Sequence, residues 1–411
     1  MQNAGSVVSV HVIASQSEFL DACNLIESGS GPISIDAERA SGFTYSQRAY
    51  LIQVYRREAG TFLFDPPAIG SMAHLMNVVG DEEFVLHAAS QDLRCLREVG
   101  IDPRRIFDTE LSARLLGLER VGLGAVVENL LGIHLAKEHS AVNWSTRPLP
   151  DSWLAYAAAD VEHLIDLREK LAEMLAASGK DKFADAEFEA TRLKPEKTPS
   201  PYPWRKLSGL HTLRNARQLA IARELWLARD HVAKSRDISP GRLIPDSAIL
   251  AAVNSGATNP SDLLSAKGFN GRDAKGSLKV WWAAYEKGLQ TDDLPVLRIP
   301  SDTLPSPRIW RDKNPEGYAR LTVARHAIAQ RAIELTMPVE NLLSPAALRQ
   351  LAWSPPEPLT PETVSATLLK ESARAWQIKE TAHLISDAFT DSEAKMSALL
   401  AIENESNSQT T

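Results

Sequence analysis

Two segments of this chain place acids where they share a face or open a helix, and a third adds an acid four residues from a tyrosine. In "ISIDAERASG" (33–42) a short apolar, β-branched run ends in Asp36 and Glu38. Strand side chains alternate between faces, so these two carboxylates project together. Adjacent carboxylates repel, and solvent exposure, a raised pKa or a bound cation can each relieve that repulsion. In "EFVLHAASQDLRCLREVG" (83–100) a strand runs directly into a helix, with Ser90 expected at the N-cap and Asp92 in the first turn. An acid there can also simply complement the helix dipole. In "YAAADVEHL" Tyr156 and Asp160 stand four apart, on one helical face.

These residues need a scaffold, and the sequence divides accordingly. Residues 1–192 mix strand-like runs ("GPISIDA", "AYLIQVYR", "GTFLFDP", "EFVLHAA") with helical ones, an α/β pattern. Short loops make the first three strands antiparallel. The fourth follows a helix at "SMAHLMNVVG" and can pair parallel. Pro-rich linkers are expected at 193–204 and 293–314, because proline continues neither a helix nor a central strand. Residues 205–292 and 315–390 carry Leu, Ile and Ala at spacings of three and four, which predicts two helical bundles, the second a diverged copy of the first. The tail 391–411 is expected to be disordered.

With 411 residues and 44% apolar content the chain can bury several cores. No apolar run approaches the roughly 18–20 residues of a membrane span, and the N-terminus lacks a signal-peptide layout, so a cytoplasmic protein without membrane partners is expected. Two cysteines, Cys23 and Cys95, make no thiolate cluster, so any metal must sit on oxygen or imidazole ligands. The net charge of −7 is unevenly spread: residues 204–293 hold 14 Lys and Arg against 9 Asp and Glu. A local basic face of this kind suits nucleic acid better than the total suggests.

Taken together, the motifs resemble the ribonuclease D family of DEDD exonucleases, in the subclass whose third motif carries tyrosine. Asp36 and Glu38 match the first motif, Asp92 the second, and Tyr156 with Asp160 the third. The family's loop ahead of that helix is matched by "NWSTRPLPDSWLAYAAAD", with Asn143 where relatives often carry Asp, and "FDTELSARLL" resembles the segment after the second motif. "WRKLSGLHTLRNARQLAIARELWLARDHVAKSRDISPGRLIPDSAIL" resembles the HRDC helical domain, and 315–390 a more diverged copy. The resemblance implies a ribonuclease H-like mixed-sheet 3′–5′ exonuclease domain followed by two all-α HRDC-like bundles.

It also implies two divalent cations, Mg2+ or Mn2+, roughly 3.5–4 Å apart on four carboxylates. Asp36 would bridge both, Glu38 and Asp160 would complete the nucleophile side, Asp92 would serve the other, and Tyr156 would orient the attacking water. The implied substrate is RNA with a single-stranded 3′ end, such as a tRNA precursor, cut to nucleoside 5′-monophosphates by a monomeric enzyme. Phe43, Tyr45 and Trp144 are candidate base-stacking residues, with Arg48 and Arg147 for phosphate. Arg214 and Arg217, followed by Arg229, Lys234 and Arg236, form a basic series in the first bundle. The bundles are expected to add affinity but no chemistry. The acids do not read the sugar, so a 3′ exonuclease acting on DNA stays open, as does a catalytically weak RNA-binding scaffold.

Overall fold

A computed structural model describes residues 11–135, 141–196, 198–269, 271–299 and 304–399. Its N-terminal domain is built on a six-stranded sheet in the order β1-β4-β3-β2-β5-β6. The strands are β1 (Val12–Ile13), β2 (Ser30–Arg39), β3 (Ala49–Arg57), β4 (Gly60–Phe64), β5 (Glu83–Leu86) and β6 (Arg105–Asp108). As the loop lengths predict, β2, β3 and β4 pair antiparallel and β5 joins β2 parallel. The sequence reading did not anticipate β1 and β6, which are too short to show alternation and pair parallel with β4 and β5.

Alternation along β2 separates two roles. Ile33, Ile35 and Ala37 enter the main core beside Ile52 and Val54 of β3 and the helix α1 (Gln16–Ser28). Ser34, Asp36 and Glu38 face the other way. Other helices that matter below are α2 (Leu93–Glu98), α3 (Thr109–Leu115), α4 (Asp151–Glu162) and α5 (Asp181–Arg192).

Two helical bundles follow, as expected, but they relate to the sheet domain differently. The first centres on α6 (Ala216–Arg236) and closes its own core around Leu225, Ile249, Phe269 and Trp281. The second, around α7 (Pro315–Glu334) and α8 (Ala375–Phe389), has no separate core, because its apolar residues run continuously into that of the sheet domain. Phe183 of α5 stacks on Trp376 with ring centroids 4.4 Å apart. Glu187, almost fully buried, accepts from the Trp376 indole at 3.1 Å and from Arg374 Nε at 2.6 Å. The Lys180 ammonium donates to the carbonyls of Leu115 and Thr336, one on each side of the junction. The tail also departs from expectation. Residues 392–399 are helical, with Met396 and Leu399 against the shared core, and residues 400–411 lie outside those described.

Candidate active site

Helix α4 lies across the Asp36 face of β2, β3 and β4. It begins after Pro150, a residue with no N–H to leave unsatisfied at a helix start. Ser34 Oγ donates to the Val161 carbonyl at 2.8 Å, which fixes the end of the helix over the strand. Leu154, Ala157 and Ala158 pack on Leu51 and Leu63, and the two alanines let the helix sit close. That approach carries Asp160 to the first pair: Asp36, Glu38 and Asp160 each offer an oxygen within 4.8 Å of the others. The Tyr156 hydroxyl, one turn earlier, donates to Asp160.

Asp92 reaches the same cleft from the turn after β5, the parallel neighbour of β2. Ser90, expected as the N-cap, lies in a short 3-10 turn instead, and Asp92 itself stands at the N-cap of α2 without a side-chain capping bond. Its carboxylate is therefore left for the cleft. A left-handed Ala88 (φ 63°) makes that turn. Buried Asp108 stabilises it, accepting from the Ala88 and Ala89 amides at 3.1 and 2.8 Å and capping α3 through Leu111 N–H at 3.1 Å. Arg39 extends along β2 to within 3.7 Å of Asp92. Reading for acids alone passed over Asp108 and Arg39. The Asp-Thr-Glu start of α3 is an N-cap signature that could have flagged Asp108.

The resulting cleft has a volume of about 930 Å³ and is lined by all four acids, Arg39, Tyr156, His87 and Arg120. Withdrawal from water, then mutual repulsion, shifts the acids strongly. Glu38 is pushed up to about 9 by desolvation and by Asp36, Asp160 and Asp92. Asp92 rises to about 8, through desolvation and then Asp36. Asp160 rises to about 7 for the same two reasons, against the lowering bond from Tyr156. Asp36 is raised by desolvation, partly offset by the Ala37 amide and Arg39. Four such groups cannot all ionise at neutral pH unless positive charge joins them. An all-oxygen set with that shortage fits a hard divalent cation.

The expected RNA grip does not survive the geometry. Trp144 is completely buried beside Trp153 (centroids 5.4 Å apart) and presents no face to a base. Arg147 donates inward to Asp65 (2.6 Å) and to the carbonyls of Trp144, Thr146 and Tyr50, so it locks the loop instead of holding phosphate. Asn143 keeps that loop in shape through Ser145 Oγ at 2.6 Å.

The 42–50 segment docks the first bundle. Tyr45 donates to Asp230 (3.0 Å), the Ser46 amide and the Tyr50 hydroxyl donate to Asp237 (2.8 and 3.1 Å), and Arg48 reaches Asp237 at 3.4 Å. Arg242 lies 4.0 Å from the Phe43 ring centre and donates to the Gly42 carbonyl. Arg217 caps the Gly288 and Thr291 carbonyls, and buried Arg229 pairs with Asp246, so neither serves as a surface cation. Arg214 is exposed, in a hollow of about 500 Å³ with Arg205, His211 and Arg298 and no acid in its lining.

Comparison with known proteins completes the picture. Residues 10–176 match the family model described as 3′-5′ exonuclease, 218–285 the HRDC domain, and 303–389 the 3′ to 5′ exonuclease C-terminal domain. The last match gives the second bundle a description of its own beside the expected HRDC-like one. The protein "Ribonuclease D" of Nitrobacter hamburgensis is 31% identical over 277 residues, covering 63% of this chain and 68% of that protein. A crystal structure of a protein from Bifidobacterium adolescentis superposes with a TM-score of 0.84 at 35% identity, over 93% of this chain and 97% of that one. Escherichia coli RNase D, described as an exoribonuclease involved in structured RNA processing, shares the fold at a TM-score of 0.65 and 24% identity, over 89% of this chain and all of that one. Motifs, fold and relatives agree: the chain belongs to the ribonuclease D family, as a 3′–5′ exoribonuclease.

Proposed function

We propose that this enzyme trims the 3′ ends of stable RNAs such as tRNA precursors, using two divalent cations and releasing nucleoside 5′-monophosphates. The observation that carries the reading is the convergence of Asp36, Glu38 and Asp160 within 4.8 Å, with Asp92 in the same cleft. Asp36, Glu38 and Asp160 would hold one cation, and Asp36 together with Asp92 the second. Bound there, divalent cations supply Lewis acidity and offset the charge that develops on the phosphate. Tyr156 orients the attacking water through its hydroxyl. Its pKa is raised by burial and by the acids, so it stays protonated and acts by hydrogen bonding, not as a base. Arg39 stands beside the acids, 3.7 Å from Asp92, where its positive charge offsets theirs.

The basic hollow around Arg205, Arg214 and Arg298 supports RNA contact by the first bundle, since unopposed guanidinium groups suit phosphates. The test is a 3′-extended tRNA precursor and an unstructured DNA of equal length, each labelled at the 5′ end and incubated with the enzyme and Mg2+. Stepwise shortening of the RNA, with 5′-monophosphates as products and DNA cut much more slowly, is the expected outcome. Equal rates on both would favour the DNA reading. Binding of RNA without cleavage would favour the scaffold.

A further inference from the structure

Strand β3 reads "AYLIQVYRR", and one residue breaks its apolar run. Gln53 is completely buried at the middle of the sheet, between β2 and β4. Both its amide nitrogen and its amide oxygen are enclosed, and neither has a hydrogen-bond partner among the described residues. Leucines flank it on the same face: Leu51 two residues earlier and Leu63 directly across on β4. A third leucine would have continued that surface. Burying an amide with no partner is costly, and such a group in a packed core calls for an explanation.

The register supplies one. Gln53 stands directly opposite Asp36 in the antiparallel β2–β3 pair, so their side chains leave the sheet side by side on the α4 face. The two side chains make no hydrogen bond to each other in the metal-free chain, yet they are cross-strand neighbours, and a carboxylate that binds a cation through one oxygen needs a donor for the other. The geometry points to Gln53 as a positioning residue for Asp36: its amide donates to the carboxylate, directly or through one enclosed water, and holds it for a divalent cation. This rests on the metal reading of the site above. In that role the two enclosed polar atoms gain a partner. A pure packing role would leave them without purpose.

The test replaces Gln53 by Met, which keeps length and volume but removes both polar atoms, with Gln53→Leu as the second variant should the first fold poorly. Thermal unfolding in EDTA reports packing, and EPR of free Mn2+ against added protein reports cation affinity without turnover. The Met variant should melt at or above the native temperature, since two unpaired polar atoms are gone, yet bind Mn2+ about 10- to 100-fold more weakly. Its RNA affinity in EDTA should match native while kcat falls. Mn2+ affinity within twofold of native would overturn the assignment, as would a lowered melting temperature with unchanged affinity, which marks a packing residue. Failure of the native protein to bind Mn2+ at all would instead overturn the metal reading, and that needs no variant to see.

Discussion

The acids and their neighbours respond differently to substitution because some face the cleft and others the core. Replacing Tyr156 by Phe removes a hydroxyl assigned to the transition state, so turnover should fall roughly 10²-fold while RNA affinity holds within a factor of two. Single-turnover rates set beside equilibrium binding separate the two. Trp144→Ala, by contrast, empties a fully buried site and should destabilise the fold by roughly 3–5 kcal/mol, visible in chemical denaturation. The acids also predict a pH dependence. Glu38, Asp92 and Asp160 have folded pKa values above their ordinary ones, so their contribution to stability is fully present below about pH 4 and is lost as pH rises through about 7 to 9. Metal-free native protein should therefore lose more melting temperature between pH 5 and 9 than a Glu38→Gln, Asp92→Asn double variant does. Mg2+ should restore more of it at high pH, because its ligands must be deprotonated. The convergence of Asp36 with Glu38 and of Tyr156 with Asp160 was legible in the sequence because strand and helix periods place each pair on one face. Trp144 and Arg147 were not, since an aromatic or an arginine in a loop looks the same whether it points out or in.

At the scale of elements, the 42–50 segment shows how a surface-looking loop becomes an interface. It follows β2 directly and carries polar and aromatic residues that would suit RNA, yet their partners are Asp230, Asp237 and Arg242, nearly two hundred residues away. No local pattern reveals such a pairing. Asp237 is the hub: it takes the left-handed conformation (φ 48°) that ends α6 and accepts from Ser46 and Tyr50. Asp237→Ala should loosen the first bundle without unfolding it, because that bundle has a core of its own. Small-angle scattering should then give a larger radius of gyration, and protease should cut faster in the 193–204 linker. An unchanged radius would mean that the apolar packing of Tyr45 and the Arg242–Phe43 contact suffice. The Asp237 carboxyl is held below the ordinary range by its hydrogen-bond donors, so this docking should weaken as pH falls below about 4 and not as it rises.

Across the whole molecule, the two bundles do not share the role of affinity modules that their helical patterns suggest. The second is part of the catalytic domain's core, and cutting after residue 195 would expose Phe183, leave Glu187 without Arg374 and Trp376, and strand the Lys180 ammonium. Such a truncation should therefore fail to fold cooperatively, as seen by loss of a sharp thermal transition. A normal transition with intact activity would return the second bundle to an accessory role. Periodicity showed that both bundles exist, but which apolar face meets which partner depends on contacts far apart in sequence. All of this architecture serves one claim, that the acids gathered on β2, α2 and α4 hold the divalent charge that cleaves RNA from its 3′ end. The most direct measurement follows a 5′-labelled single-stranded RNA, with Mg2+, in native protein and in Asp36→Asn shown by circular dichroism to be folded. The account predicts a ladder shortening one nucleotide at a time from the 3′ end in the native enzyme, abolished by EDTA, and less than about 1% of that rate in the variant. A folded Asp36→Asn protein that still cuts at a tenth of the native rate, or native cleavage that persists in EDTA, would contradict it.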